Sequence, residues 1–364
     1  MNGHPVVHQF TPVLIGRDAV GHHTLQVDQI LRELGADTTI YAQHTKSDLK
    51  NRVRRFELHP SDPAPDLIIY QAATGSPIVD YLMTRSEPIV INYHNMTPAE
   101  FFYPYEPHIG AELDHGRQQL ARLCRKADFA IADSDFNANE LRALGLDRVG
   151  VVPVLFDGSV LPADNAAVSG VASKQTRSKV TVLFVGRIAP NKRHEDLLAS
   201  VAVLRRWVND IELVLVGSSS SESYTSALQE FAARIGIDDI VRFMGSVSAE
   251  ELVACYQAAD VFLCLSAHEG FCVPLVEAMA WGVPVIALEA SAVPTTAGDA
   301  GLLVKDPSPT LVATAIERVL TDEELGQQLI DRGLRRAKQL SPPITRQLLR
   351  DTLEPFVAGD YSRR

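Results

Sequence analysis

Short, unbroken apolar runs alternate with longer segments of helical period along almost the whole chain, and few architectures accept that rhythm other than a parallel sheet covered by helices. The run at 5–10 opens the pattern, and in the segment 22–35 that follows, Val27, Ile30, Leu31 and Leu34 recur on one helical face. Further strands are expected at 38–42, 66–71, 89–94, 129–133 and 149–154, with helices at 78–84, 110–126 and 137–144.

Between residues 156 and 179 the period fades into Gly, Ser, Ala, Asp and Lys, and TVLFVGR then restarts a buried strand. The second half repeats the rhythm, with strands at 180–186, 212–217, 241–243 and 261–265 and helices near 197–208, 224–235 and 250–258. The expected organisation is an N-terminal α/β domain over 1–155, a joining segment over 156–179 and a second α/β domain over 180–340. A final helix and polar tail over 341–364 would return to the first domain.

A chain of 364 residues that is 46% apolar has material for two such cores. No apolar stretch approaches the eighteen or so residues of a membrane span. A net charge of −11 disfavours nucleic acid as a partner, so any polyanionic ligand has to be held by local cations. Cys124, Cys255, Cys264 and Cys272 show no Cys-x-x-Cys spacing, which points to reduced, mostly buried thiols rather than a structural zinc site. The opening MNGHPVVHQF lacks the basic start and long apolar run of an export signal, so the cytoplasm is the expected compartment.

The densest signal follows the strand VFLCLS. In HEGFCVPLVEAMAWGVPVIA, Gly270, Phe271, Cys272 and Val273 form a loop that enters a helix, and such a loop offers free amides to an anion beyond the strand ends. Pro274 suits the first helical turn; Glu269 would then lie on the loop and Glu277 on the opening turn of the helix. The plainer alternative makes them a solvated loop charge and a favourable first-turn charge. A second signal is VGRIAPNKRHEDLL, where Arg187, Lys192 and Arg193 follow a strand end. Arg grips two oxygens with a planar fork and Lys adds a mobile point charge, a pairing suited to a diphosphate; a solvated basic loop is the alternative.

In the first half, Gly16 and Gly21 stand between the opening strand and its helix, where they would let a ligand approach the backbone or simply permit close packing. His94 follows a strand end as a polar contact or proton relay. Asp133-Ser134-Asp135 has the outline of a metal-binding DxD, but strand-end solvation accounts for Asp133 and helix capping for Asp135, so no metal is expected.

Together these segments resemble the family 4 glycosyltransferases of the GT-B fold, with VGRIAPNKRHEDLL similar to the family's diphosphate segment and EGFCVPLVE similar to its Glu-x7-Glu motif. The resemblance implies two Rossmann-like domains facing a central cleft. It also implies a nucleotide-diphosphate sugar donor, a sugar or other hydroxyl acceptor that includes lipid-linked ones, no cofactor, and transfer with retention of configuration. Carried over, Arg187 and Lys192 would hold the diphosphate, Glu269 the donor sugar near the reacting centre, and Glu277 the ribose. Gly270 through Val273 would lend backbone donors, and Val247 in FMGSVSAEEL would frame the base. Gly16 and Gly21 match the glycine-rich N-terminal loop, and His94 the histidine that faces the donor sugar. A lipid-linked acceptor would bring the protein to the inner membrane surface. A phosphorylase or nucleotide-sugar epimerase on a similar scaffold, and a non-catalytic nucleotide-sugar sensor, are the competing readings.

Overall fold

The computed structural model describes residues 4–15, 18–45, 49, 51–56, 64–162 and 179–360. Contacts divide the chain into two units, one made of Met1–Tyr103, Pro107–Asp157 and Pro342–Arg364, the other of Pro104–Glu106 and Gly158–Ser341. The joining segment expected at 156–179 lies largely outside the described residues.

The first unit runs β1 (Val6–Leu14), α1 (Ala19–Glu33), β2 (Asp37–Thr45), β3 (Arg54–Arg55), β4 (Leu67–Ala72), α2 (Ile78–Thr84), β5 (Ile89–Tyr93), α3 (Pro107–Cys124), β6 (Phe129–Ala132), α4 (Asp135–Ala143) and β7 (Val149–Val151). Among the described residues its sheet has seven parallel strands in the order β3-β2-β1-β4-β5-β6-β7. Every residue of β4 and β5 is buried, which is why these strands read as continuous apolar runs rather than as alternation. Among the described residues the unit has two large apolar cores, one built on Phe10, Ile68, Tyr70 and Ile91 and the other on Val7, Ile69, Val90 and Ile131, and a smaller cluster of Leu14, Ile40, Ala42 and Leu49.

The second unit runs β8 (Val180–Val185), α5 (His194–Leu204), β9 (Ile211–Val216), α6 (Glu222–Arg234), β10 (Val241–Gly245), α7 (Ala249–Ala258), β11 (Val261–Cys264), α8 (Val273–Ala280), β12 (Val285–Leu288), α9 (Val293–Ala297), β13 (Gly301–Val304), α10 (Pro309–Thr321) and α11 (Glu323–Gln339). Among the described residues its six parallel strands are ordered β10-β9-β8-β11-β12-β13. The last helix, α12 (Pro342–Val357), belongs to the first unit. There Leu349, Leu353 and Phe356 join the core around Val27 and Ile30, and Arg346 pairs with Glu33 at 2.8 Å. Truncating a leucine at such a fully buried position costs about 2–5 kcal/mol.

Several elements differ from expectation for identifiable reasons. Helix α5 begins at His194 rather than near 197, because its first turn is built from Glu195 and Asp196 and carries no apolar period. Strand β12 lies inside the VPVIA stretch read as motif, and β3 is an exposed pair of arginines without any apolar signal.

Candidate functional site

In the second sheet the strand order reverses between β8 and β11, with β9 and β10 on one side and β12 and β13 on the other. The crevice beyond the carboxyl ends of the strands at such a switch point is where open α/β sheets take their ligands. Both motif loops leave from these two strands.

The loop after β8 is held by its neighbour. Ile188 forms an isolated bridge with Ser219, and the Ile188 amide donates to Ser218 O at 2.9 Å. Gly217, with φ of +146°, lies so close that a Cβ there would stand 2.0 Å from Gly186 O, so only glycine fits. A 3-10 turn at Pro190–Lys192 follows, and Arg193 enters α5 in the left-handed region. Asn191, which sequence reasoning passed over, joins the two motif loops: its Nδ2 donates to His268 O at 3.0 Å, and its carbonyl accepts from the Ala267 amide at 2.9 Å.

That junction brings Lys192 Nζ to 2.6 Å from Glu269 Oε1, with the side chains only 15% and 10% exposed. Salt screens an enclosed pair weakly, so its attraction survives at physiological ionic strength. Ser291, itself at φ of +48°, accepts from the Glu269 amide at 2.8 Å and fixes the loop from the side of α9. Arg187 is exposed and has no ion-pair partner among the described residues. The two cations therefore differ: Lys192 is committed to a carboxylate and Arg187 is available.

Beyond Glu269, the amides of Gly270, Phe271, Cys272 and Val273 have no hydrogen-bond acceptor among the described residues. Cys272 sits in the left-handed region at φ of 74° and Pro274 occupies the first turn of α8, so the chain turns sharply and the amides come free together. Thr296 Oγ1 donates to Phe271 O at 2.5 Å and holds the turn.

Glu277 departs from both readings of the sequence. It lies one turn into α8 rather than on its opening turn, so it is no first-turn charge, and it is buried. Tyr256, on α7, donates its hydroxyl to Glu277 Oε2 at 2.6 Å. Burial first, and the neighbouring carboxylate second, raise the Tyr256 phenol well above its usual value, so it remains a proton donor to Glu277. Val247 is half-buried on the loop between β10 and α7, at the carboxyl side of the same sheet. The four cysteines form no disulfide, but Cys264 Sγ and Cys272 Sγ lie 4.0 Å apart, a pairing that their spacing in sequence did not announce.

The first unit corrects three expectations. Gly21 is already inside α1, where its amide donates to the N-cap Asp18 and a Cβ would stand 1.8 Å from Ile15 O; it permits close packing, not ligand approach. Gly16 lies outside the described residues. His94 follows β5 as expected, but its side chain is 1% exposed, with Nδ1 at 3.0 Å from Asp133 Oδ2 and Nε2 at 2.7 Å from Gln71 Oε1. Both ring nitrogens are thus used inside the unit. Asp133 is accordingly a buried partner of His94 rather than a solvated strand end, and Ser134, not Asp135, caps α4. Nearby, His23 accepts from the Leu155 amide at 2.9 Å; burial first, and His94 second, hold its imidazole pKa well below the usual value.

A two-unit α/β chain with a cation pair and free amides at a switch point is the arrangement of the GT-B fold. Residues 172–336 match the family profile of glycosyl transferases group 1. The chain is similar to the O-antigen chain mannosyltransferase B of Escherichia coli, 27% identical over 266 residues that cover 72% of this chain and 68% of that protein. It is 34% identical to a D-inositol 3-phosphate glycosyltransferase of Streptomyces bingchenggensis over 56% of this chain, and the match spans only about half, 47%, of that relative. In structure it superposes on Anabaena Alr3699/HepE in complex with UDP and glucose with a TM-score of 0.74, at 17% identity, covering 96% of this chain and 99% of that one. The chain therefore has the GT-B fold, and its second unit carries the stretch that matches the group 1 glycosyl transferase domain.

Proposed function

We propose that the protein is a retaining, family 4 glycosyltransferase that moves a sugar from a nucleotide-diphosphate donor to an acceptor hydroxyl. The observation that carries this reading is the Lys192–Glu269 pair set beside four unpartnered amides at the β8/β11 switch point. The amides and Arg187 receive the diphosphate, and Lys192 pivots from Glu269 toward it as charge builds on the departing oxygen. Glu269 then faces the sugar, where positive charge develops at the anomeric carbon. Glu277, held by Tyr256, takes the ribose, and the Val247 segment borders the base. The anomeric carbon–phosphate oxygen bond breaks as the acceptor oxygen bonds to that carbon on the same face, and a donor phosphate oxygen accepts the hydroxyl proton. His94 organises the strand ends of the first unit, to which we assign the acceptor, and does not touch the sugar. No described helix is long and apolar enough to cross a membrane; we assign the protein to the cytoplasm, with a lipid-linked acceptor approached from the inner surface.

The test is thermal stabilisation by UDP, GDP and ADP and by their sugars, followed by NMR of the product formed from the winning donor. A ligand present at a hundred times its Kd adds about 2.7 kcal/mol to native-state stability. Stabilisation by one nucleotide family and a product that keeps the donor's anomeric configuration are expected. An inverted product refutes retention, and product formed without an acceptor hydroxyl refutes transfer.

A further inference from the structure

We propose that Cys264, Cys272 and Glu269 form a binding site for a thiophilic divalent cation such as Zn2+, and that occupancy of the site blocks donor use. The sulfur atoms of Cys264 and Cys272 and a carboxylate oxygen of Glu269 all lie within 4.8 Å of one another. The Sγ–Sγ separation of 4.0 Å compares with about 3.8 Å for two thiolates on one tetrahedral zinc with bonds of about 2.3 Å. It is roughly twice the length of a disulfide bond, about 2.05 Å. A shift of a few tenths of an ångström makes the thiols ligands, whereas covalent oxidation requires the loop to move much further.

Two further features fit a cation. Cys272 holds the left-handed conformation at φ of 74°, a position a glycine fills without strain, and in doing so it keeps a sulfur facing Cys264 at the base of the donor loop. Two thiolates and a carboxylate exceed a divalent cation by one negative charge, and the Lys192 ammonium beside Glu269 balances it. On binding, the two thiols release two protons to solvent, and Glu269 exchanges its bond with Lys192 for one to the metal. The blocking role rests on the transferase reading, because the captured carboxylate is the one assigned there to the donor sugar; the binding role does not.

The experiment uses the full, metal-free chain titrated with Co2+, whose thiolate complexes absorb strongly in the near ultraviolet, and then with Zn2+. One Co2+ per chain with a thiolate band is expected, displaced by Zn2+. Cys264→Ala abolishes the band and weakens Zn2+ binding by about 100-fold or more, whereas Cys124→Ala and Cys255→Ala leave both unchanged. Donor turnover by the native chain falls as Zn2+ fills the site and returns with chelator, while Cys264→Ala turns over normally and does not respond. Cys264→Ser repeats the test at nearly constant volume if the alanine chain fails to fold. Absence of the band, or its survival in Cys264→Ala, overturns the site; metal uptake with undiminished turnover overturns the blocking role. Since Co2+ uptake is read without nucleotide, these failures differ from failure of the transferase reading, which appears as absent turnover in metal-free native chain.

Discussion

Tyr256 and Glu277 face each other inside the second unit, phenol to carboxylate at 2.6 Å, so one of the two motif glutamates is anchored from a neighbouring helix. The other, Glu269, is anchored from a loop by Lys192. On the proposed function, these different anchors should give the two carboxylates separable roles. Glu277→Gln should weaken nucleotide binding about tenfold with little change in kcat, and Glu269→Gln should lower kcat with nucleotide affinity nearly unchanged. Tyr256→Phe, which leaves a buried carboxylate oxygen without its donor, should cost about 1–3 kcal/mol of stability. Steady-state kinetics, calorimetric titration with the nucleoside diphosphate, and denaturant melts read these outcomes; indistinguishable profiles for the two Gln variants would refute the division.

Lys192→Ala and Arg187→Ala should each lower kcat/KM by about 10²- to 10³-fold, the usual scale for loss of one preorganised charge stabiliser. Stability should separate them. Arg187 is exposed and unpaired among the described residues, so its loss should change stability by no more than about 0.5 kcal/mol. Loss of Lys192 leaves the enclosed Glu269 carboxylate without its cation and should cost more than that. Equal stability of the two variants would show that the pair does not persist in solution.

Transfer should proceed without a divalent metal. Asp133 is occupied by His94, and Asp135 is an exposed first-turn residue of α4, so the two do not form a paired DxD clamp. After exhaustive chelation the initial rate should be unchanged, or raised if Zn2+ had been carried through purification. Activity that vanishes and returns with magnesium or manganese would refute this.

Acid should destabilise both units through buried histidines. Burial first, and Lys192 second, depress the His194 imidazole to about 3, and His23 is likewise held well below its usual value. The unfolded chain binds these protons near pH 6.5 and the folded chain does not, so the contribution is intact above about pH 6.5 and is lost as pH falls toward the folded values. Each histidine adds a slope of up to about 1.4 kcal/mol per pH unit over that window. Denaturant midpoints at pH 7.5, 6 and 5 should fall accordingly, and the fall should be shallower in His194→Leu; an unchanged slope would show that His194 is not kept neutral by the fold.

The sequence makes the parallel strands legible because β4, β5 and β11 are buried on both faces and leave uninterrupted apolar runs. It also places Arg187, Lys192, Glu269 and the 270–273 amides on loops after the right strands. What it cannot carry is pairing across distance. That Lys192 meets Glu269, that Asn191 ties their loops, and that Cys264 meets Cys272 all follow from β8 and β11 being neighbours, which is a property of strand order. His94 misled for a related reason: position after β5 suggests an open end, but Gln71 on β4 and Asp133 after β6 enclose the ring from both flanking strands. Glu277 falls beyond the opening turn because α8 begins at Val273, and its burial is not legible because the compensating Tyr256 lies on another helix.

Helix α12 closes the core of the first unit although it follows the whole second unit in sequence. As the chain leaves the ribosome, Val7, Val27, Ile30, Leu31 and Ile69 emerge early and wait, without Leu349, Leu353 and Phe356, through synthesis of nearly the whole second unit. The core begun first is therefore completed last. During that interval the nascent first unit carries an uncovered apolar face, which makes it the part of the chain most dependent on chaperones and most exposed to premature termination.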